Sequence, residues 1–126
     1  MKVITTNSNK MQYAAALISI ILGAVAQYFL KMGVIAVSEK SKNIAETIKS
    51  GITNSYLLGG LFCYGLSLLL WFYVLSKMEL SKAYPLVSLG YVFTLILGYC
   101  FLNEEITVAK VVGIGFIMLG VVVLMR

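Results

Sequence analysis

Residues 13–37 read YAAALISIILGAVAQYFLKMGVIAV, an apolar run in which Lys31 is the one charged side chain. A helix needs about 20 residues to cross a hydrocarbon core about 30 Å thick, so this run is long enough to span a membrane. Three further apolar runs of similar length follow, at residues 56–75, 83–102 and 106–125. The sequence therefore predicts an all-α, polytopic membrane protein in which four transmembrane helices form one bundle, a single domain over residues 1–126.

The composition is that of a chain solvated by lipid rather than by water. Of its 126 residues, 60% are hydrophobic and 12% are charged, and the mean hydropathy is +0.95. In soluble domains about a quarter of the residues are charged. The low charged fraction and the high apolar fraction of this chain therefore indicate a membrane environment. The net charge of +5 comes mostly from cations near the ends of the runs, which is usual in membrane proteins. We therefore do not read it as a sign of nucleic-acid binding.

Catalytic chemistry has little support in the residue types present. The chain contains no histidine and no aspartate. Their absence excludes a His-based metal site and a Ser/His/Asp triad. We expect no enzyme activity, no catalytic residues, no metal and no cofactor.

The start of the chain has features of a signal peptide. Lys2 and Lys10 precede the first apolar run, and residues 24–26, AVA, resemble a cleavage site. The apolar run continues past that position to Val37, further than a signal peptide requires. We therefore expect an uncleaved first span.

The connections between the spans differ in length. Those after the second and third spans are short, which predicts antiparallel neighbours. The first is longer, and within it Ile44, Ile48 and Ile52 recur every four residues. This spacing predicts an amphipathic helix over about 42–52 that lies on the membrane surface. A solvated loop is the alternative, because Gly51 interrupts the pattern.

Two residues give expected helix ends. Pro85 is predicted to fall in the first turn of the third helix, where its missing N–H costs little, so that Ser81 or Lys82 would precede that helix. Thr107 is the candidate N-cap of the fourth helix, because its hydroxyl can accept a bond from a free backbone N–H.

Lys31 is the first candidate binding residue. An ionisable residue inside a membrane helix costs roughly 2.5–3.5 kcal/mol on insertion scales, so it indicates a functional site. Gln27 lies four residues earlier and shares its helix face. A cation without a nearby carboxylate suits an anion such as a phosphate, with Gln27 supplying hydrogen bonds. The alternative is that Lys31 snorkels to the interface, since it lies about 9 Å along the helix from the end of the run.

Further polar-capable side chains occupy the second and third spans. We include them all as candidate substrate-binding residues: Tyr64, Trp71, Tyr84, Ser88 and Tyr91. Tyr84, Ser88 and Tyr91 follow the spacing i, i+4, i+7, which predicts one polar stripe. Hydrogen bonding between helices is the alternative for the stripe, and an interfacial aromatic belt is the alternative for Trp71.

A pair of glutamates and a pair of glycines are not candidates for substrate binding. Glu104 and Glu105 stand just past the third span, and we expect hydrated turn charges there because nothing completes an acid/base site. Gly113 and Gly120 lie two turns apart on the fourth span, where small residues allow two helices to approach closely. They predict a dimer interface, with packing inside the chain as the alternative.

The order of these features resembles a known family. The matching pieces are Gln27 four residues before Lys31, LW at 70–71, AYPLVSL at 83–89, NEEIT at 103–107, and the glycines at 113 and 120. Together they resemble four-span members of the drug/metabolite transporter superfamily, which are EamA-like, and above all its undecaprenyl-phosphate-aminoarabinose flippase subunits. The resemblance covers nearly the whole chain except the N-terminal tail and the first connection.

Small multidrug resistance exporters belong to the same superfamily and resemble this chain less. They share the fourth-helix glycines and Ala83-Tyr84. Their essential first-helix glutamate would fall at Gly23, and the aromatic they carry three residues after the tyrosine is Val87 here. We therefore expect no carboxylate to take the place of that glutamate.

The resemblance implies a transporter or flippase of the bacterial cytoplasmic membrane. Its substrate would be a polyprenyl-phosphate-linked sugar or a similar anionic lipid. Because four spans enclose little space, we expect a homodimer, or a heterodimer with a similar subunit. Efflux of a small cation or metabolite and a role as an accessory membrane subunit are the alternatives.

Overall fold

The structure is a computed structural model that describes residues 6–126, and Lys2 lies outside the described residues. These residues form six helices and, within that range, no strand. The helices are α1 (Thr6–Lys40), α2 (Ile44–Thr53), α3 (Ser55–Lys77), α4 (Leu80–Val87), α5 (Leu89–Leu102) and α6 (Val108–Leu124). The predicted all-α fold is confirmed.

Three stretches have the length and hydropathy of membrane spans. They are Asn9–Lys40 of α1, Ser55–Lys77, and Leu80–Leu102, which combines α4 and α5. α6 is also apolar but has 17 residues, or about 25 Å at 1.5 Å per residue. A helix of that length lies at the short end of the range that spans a hydrocarbon core.

Asparagine and threonine side chains begin three of the helices. The Asn43 side chain accepts a hydrogen bond from the Glu46 backbone N–H, and Asn54 accepts one from Leu57. The predicted N-cap Thr107 is confirmed, because its hydroxyl accepts from the Lys110 N–H at 3.3 Å. Each cap satisfies a backbone donor that has no partner within its own helix.

The third predicted span is two helices rather than one. The chain enters α4 at Leu80, after Glu79, so Ser81 and Lys82 lie inside this helix and Pro85 lies beyond its first turn. The break comes at Ser88, whose N–H and hydroxyl both donate to the Pro85 carbonyl, at 3.2 and 2.6 Å. In an unbroken helix that carbonyl would accept from Leu89 four residues on. The third span thus begins at Leu80, three residues before the predicted start, and contains a turn at Ser88.

The most extensive contact between helices joins α1 and α3. Gly33 of α1 is buried, and a Cβ added there would lie 2.9 Å from the Leu57 backbone nitrogen. Gly60 of α3 makes the reciprocal approach, 3.1 Å from the Leu30 backbone nitrogen by the same measure. Small residues at these points let the two backbones pack closely, as membrane helices commonly do.

The α1–α3 pair also organises the small core. Ala16 of α1, Val74 of α3 and Ala83 of α4 are buried together, and Trp71 and Leu86 are among the half-buried residues packed against them. Near one end of the pair, α4 therefore closes over α1 and α3. Near the other end, α5 contacts α1.

α2 is a helix with no buried residue, despite Gly51. Ile44, Ile48 and Ile52 are 80%, 59% and 67% exposed. An exposed apolar stripe on an amphipathic helix is suited to an interface between water and lipid. Its place on the membrane surface stays a prediction.

α6 stands largely apart from the other helices. Within Val108–Leu124, Val121 alone is buried. A Cβ added at Gly113 or Gly120 would have no neighbouring atom within 4 Å. The glycines of α6 therefore do not serve packing inside this chain, which was the alternative reading of their spacing.

We predict that Gly33→Ala destabilises the protein by about 1–3 kcal/mol, because the added methyl forces α1 away from the Leu57 backbone. Thermal unfolding of the purified protein in mild detergent measures the effect. Gly59→Ala is the matched control on α3, because a Cβ at Gly59 meets nothing within 4 Å. Equal losses of thermal stability in the two variants would contradict the close contact.

Candidate functional site

A cavity of about 290 Å³ lies between α1, α3 and the α4–α5 segment. Its wall combines apolar side chains with polar groups from three of these helices. The polar and aromatic members are Ser19, Gln27, Tyr64, Ser67, Trp71 and Thr94. Binding sites for small molecules commonly have this character, mostly apolar with a few convergent polar groups.

A second cavity, of about 170 Å³, adjoins the first. Ala24, Gln27 and Thr94 line both, so one continues into the other. The second cavity ends at Lys31 and Glu104. We call the two together the polar groove. Its α1 wall extends from Ser19 to Lys31, about 18 Å along the helix.

At the end of the groove away from Lys31, two serines form hydrogen bonds between α1 and α3. The Ser19 hydroxyl donates to the Ser67 carbonyl at 2.8 Å, and the Ser67 hydroxyl donates to the Ser19 carbonyl at 2.8 Å. A Cβ added at Gly23 would lie 3.2 Å from the Ser67 hydroxyl oxygen, so Gly23 leaves room for this exchange. The hydroxyls are thereby satisfied within the protein and fix the register of the two helices.

Lys31 has a carboxylate partner. Its ammonium donates a hydrogen bond to a carboxylate oxygen of Glu104, and the two form an ion pair. The side chains remain 51% and 38% exposed. The expectations of a cation without a nearby carboxylate, and of Glu104 as a hydrated turn charge, were therefore wrong. Glu105 is exposed, as expected of a turn charge.

The end of α5 directs Glu104 back toward α1. Asn103 adopts a left-handed conformation, with φ at 54°, and the Glu104 N–H then donates to the Gly98 carbonyl at 3.0 Å. This is how many helices end, and asparagine tolerates the left-handed region better than most residues. Gly98 leaves space for the carboxylate, because a Cβ there would lie 2.6 Å from a Glu104 oxygen.

Lys31 also changes the acidity of its partner. The hydrogen bond from the Lys31 ammonium holds the pKa of the Glu104 carboxyl below its ordinary value. Partial burial acts in the opposite direction, while the positive charges of Lys31 and Lys110 lower the pKa further. Glu104 is therefore ionised at neutral pH, and the end of the groove presents one charge of each sign.

Some of the predicted substrate-binding residues line the groove, one lies beside it, and two lie outside both cavities. Gln27, Lys31, Tyr64 and Trp71 line the groove. The Tyr84 ring meets the edge of Trp71, with ring centroids 6.4 Å apart, and is 62% exposed.

Ser88 and Tyr91 line neither of these two cavities. The Ser88 hydroxyl is occupied by the Pro85 carbonyl, and Tyr91 is 57% exposed. The helix break also falls inside the predicted stripe of Tyr84, Ser88 and Tyr91, so these residues do not share one regular helix.

Sequence reasoning missed Ser19, Ser67, Thr94 and Glu104. For Ser19 a signal was present, because Ser19, Gly23, Gln27 and Lys31 recur every four residues and so share one face of α1. No comparable spacing points to Glu104, because its position depends on which way a turn folds.

Known proteins resemble the chain over most of its length. Residues 6–126 match the EamA-like transporter family. The chain belongs to this family. The resemblance drawn from the sequence is confirmed, and with it the assignment to multi-pass membrane proteins. No solved structure is significantly similar to the chain.

Curated relatives are described as flippase subunits. A protein of Photorhabdus laumondii is 36% identical over 121 residues, which are 90% of this chain and 96% of that one. A protein of Proteus mirabilis is 36% identical over 89% of this chain and 90% of its own. An Aeromonas hydrophila protein is 35% identical over 87% and 76%. Each is named a probable 4-amino-4-deoxy-L-arabinose-phosphoundecaprenol flippase subunit ArnF.

The ion pair predicts a pH-dependent contribution to stability. Because the pKa of Glu104 is lowered in the folded protein, its contribution is complete at neutral pH and is lost as the pH falls through that pKa. We expect Glu104→Gln to lower the unfolding temperature at pH 7 and to have progressively less effect on acidification. Thermal unfolding at several pH values checks this, with Glu105→Gln as the control. A deficit that stays constant into the acid range would contradict the pairing.

Proposed function

We propose that this chain is a subunit of a flippase that moves a polyprenyl-phosphate-linked sugar across the bacterial cytoplasmic membrane. The observation that carries the proposal is the cation of Lys31 at the end of a polar groove, one helical turn from Gln27. Family membership and the names of the curated relatives support the substrate class. The proposed activity is transport, and we assign no reaction chemistry to the chain.

The groove suits a head group better than a whole lipid. Its larger cavity, about 290 Å³, is near the lower end of the ~300–1,000 Å³ typical of small-molecule sites. A sugar phosphate is a ligand of this scale, whereas a polyprenyl chain is apolar and gains nothing by leaving the bilayer. In this proposal the head group travels along the groove while the chain stays in lipid.

Each polar residue then has a defined role. Lys31 neutralises the phosphate, which would otherwise be costly to move through an apolar medium. Gln27 and Thr94, which line both cavities, hydrogen-bond the head group as it passes. Tyr64 and Trp71 line the far part of the groove, and Tyr84 stands beside Trp71 there.

Export of cations is the weaker alternative. A cation exporter requires a carboxylate that is available to its substrate or to a proton. Glu104 is held by Lys31 and lies at the end of the groove, not in its middle near Gly23.

We further propose that α6 joins the chain to a second subunit, either a copy of itself or a similar protein. α6 buries little against its own chain, and Gly113 and Gly120 present open backbone on one face. Transporters of related design place their substrate between paired repeats, so a partner would close the exposed side of the groove. The word subunit in the names of the relatives supports an assembly of this kind.

Lys31→Ala is the direct test of the transport proposal. We expect the rate of lipid flipping in reconstituted vesicles to fall about ten- to a hundredfold, because a charge-assisted contact to the phosphate is lost. Lys40→Ala, at the exposed end of the same helix, is the matched control and should keep the wild-type rate. An unchanged flipping rate in Lys31→Ala would refute the assignment.

The interface can be tested separately. Replacing Gly113 and Gly120 together by leucine should shift the protein from dimer to monomer, since the side chains block close approach of two helices. Gly115→Leu is the control, because it lies about 200° around α6 from Gly113. Native mass spectrometry in mild detergent reports the populations. Equal dimer fractions in the double variant and the control would exclude this face as the interface.

A further inference from the structure

The end of the groove carries two charges rather than one. Lys31 and Glu104 line the same cavity of about 170 Å³, and both side chains remain partly exposed there. With a full positive and a full negative charge, this end of the groove has no net charge. A site built for a plain phosphate would present the cation without a competing anion.

A phosphate on its own is poorly matched to this arrangement. A phosphate that binds the Lys31 ammonium lies beside the Glu104 carboxylate, and the repulsion between these like charges makes binding costly. A ligand that also carries a cation avoids this cost. Its phosphate takes the place of the carboxylate on Lys31, and its ammonium takes the place of Lys31 on the carboxylate.

We propose that Glu104 determines head-group specificity, by binding a primary ammonium of the lipid head group while Lys31 binds its phosphate. The inference rests on the proposed function, since it assigns the residue that selects between head groups at the same site. A lipid phosphate ester of an amino sugar, the kind of substrate in the names of the curated relatives, is such a zwitterion. Glu104 binds the ammonium through charge-assisted hydrogen bonds, and no covalent step is involved.

The Glu104 backbone is fixed and the Lys31 side chain is flexible, so the two charges can separate when a ligand binds. The Glu104 backbone is fixed by the turn that bonds its N–H to the Gly98 carbonyl at 3.0 Å. Lys31 projects from α1 on a flexible four-carbon stem, so its ammonium can move while Glu104 stays in place. Both groups then face the cavity with their charges separated.

The cavity beside these charges offers partners for a sugar. Gln27 and Thr94 line the same cavity as Lys31 and Glu104, and Tyr28 lies there as well. An amide, a hydroxyl and a phenol can each exchange hydrogen bonds with sugar hydroxyls. A head group with its phosphate at one end and its amine at the other would meet polar groups along its whole length.

The neighbouring carboxylate lacks these properties. Glu105 is exposed, lies outside the lining of this cavity, and accepts a bond from the Lys110 ammonium through its backbone carbonyl at 2.7 Å. It has the same charge as Glu104 and is adjacent in sequence. Glu105→Gln is therefore a matched control that removes one negative charge from the same turn.

The test compares two lipids that differ by one charge. The purified full-length protein, with any subunit that copurifies, is titrated with undecaprenyl phosphate carrying 4-amino-4-deoxyarabinose and with the N-acetylated form of that lipid. Acetylation removes the ammonium and keeps the phosphate. Native mass spectrometry gives the dissociation constant of each lipid for wild type, Glu104→Gln, Glu105→Gln and Lys31→Ala.

We expect Glu104→Gln to weaken binding of the amino lipid about tenfold and to leave binding of the acetylated lipid unchanged or tighter. The wild-type preference for the amino lipid should thereby disappear, while Glu105→Gln should keep it. The inference is overturned if Glu104→Gln weakens both lipids equally, or if wild type binds both equally well.

Failure of the underlying function gives a different result. If Lys31→Ala binds both lipids as wild type does, the phosphate site itself is wrong, whatever Glu104 does. Gly98→Ala provides a second variant should Glu104→Gln not fold. Its added Cβ occupies the place of the Glu104 carboxylate, 2.6 Å from an oxygen, and should reduce the preference for the amino lipid in the same way. Retention of the full preference in Gly98→Ala would count against the inference.

Discussion

The close contact between α1 and α3 fixes the positions of the polar groups that these two helices contribute to the groove. Gly33 and Gly60 bring the two backbones together at one end, and the Ser19–Ser67 exchange holds them in register further along. Neither device depends on burying large apolar side chains, which lipid would solvate equally well. Because the register is set by short bonds, Gln27 and Lys31 face the same opening as Tyr64 and Trp71.

The Lys31 charge, which lies among apolar helices, is stabilised by its ion pair with Glu104. A lone ammonium is costly among apolar helices, and the Glu104 carboxylate offsets part of that cost when no ligand is present. The same carboxylate then affects which ligands bind, because a phosphate at Lys31 would lie beside a like charge. One ion pair at the end of the groove thus both stabilises the Lys31 charge and selects the ligand.

The sequence predicted the helical periodicity, the family and the cation on α1 correctly, because these depend on local patterns and on residue type. It also contained the α1 face of the groove, since Ser19, Gly23, Gln27 and Lys31 recur every four residues. The break at Ser88 was missed, because it depends on competition for the Pro85 carbonyl and not on hydropathy. An apolar run alone cannot distinguish one helix from two in succession.

The pairing of Lys31 with Glu104 was beyond sequence reasoning for a different reason. The two residues are 73 positions apart, and their contact requires α5 to lie beside α1 and Asn103 to turn the chain back. The same limit applies to α6, whose pattern predicts a helix but not what covers it. Contacts between distant segments are decided by packing, and they supply the part of the site that local spacing cannot.

The central claim is that the lipid phosphate binds at Lys31, and an experimental structure of the full-length protein with bound undecaprenyl-phosphate lipid tests it most directly. The account predicts phosphate oxygens within about 4 Å of the Lys31 ammonium, with the head group beside Gln27. A phosphate bound instead near Lys77 or Lys82, with no head group in the polar groove, would contradict it.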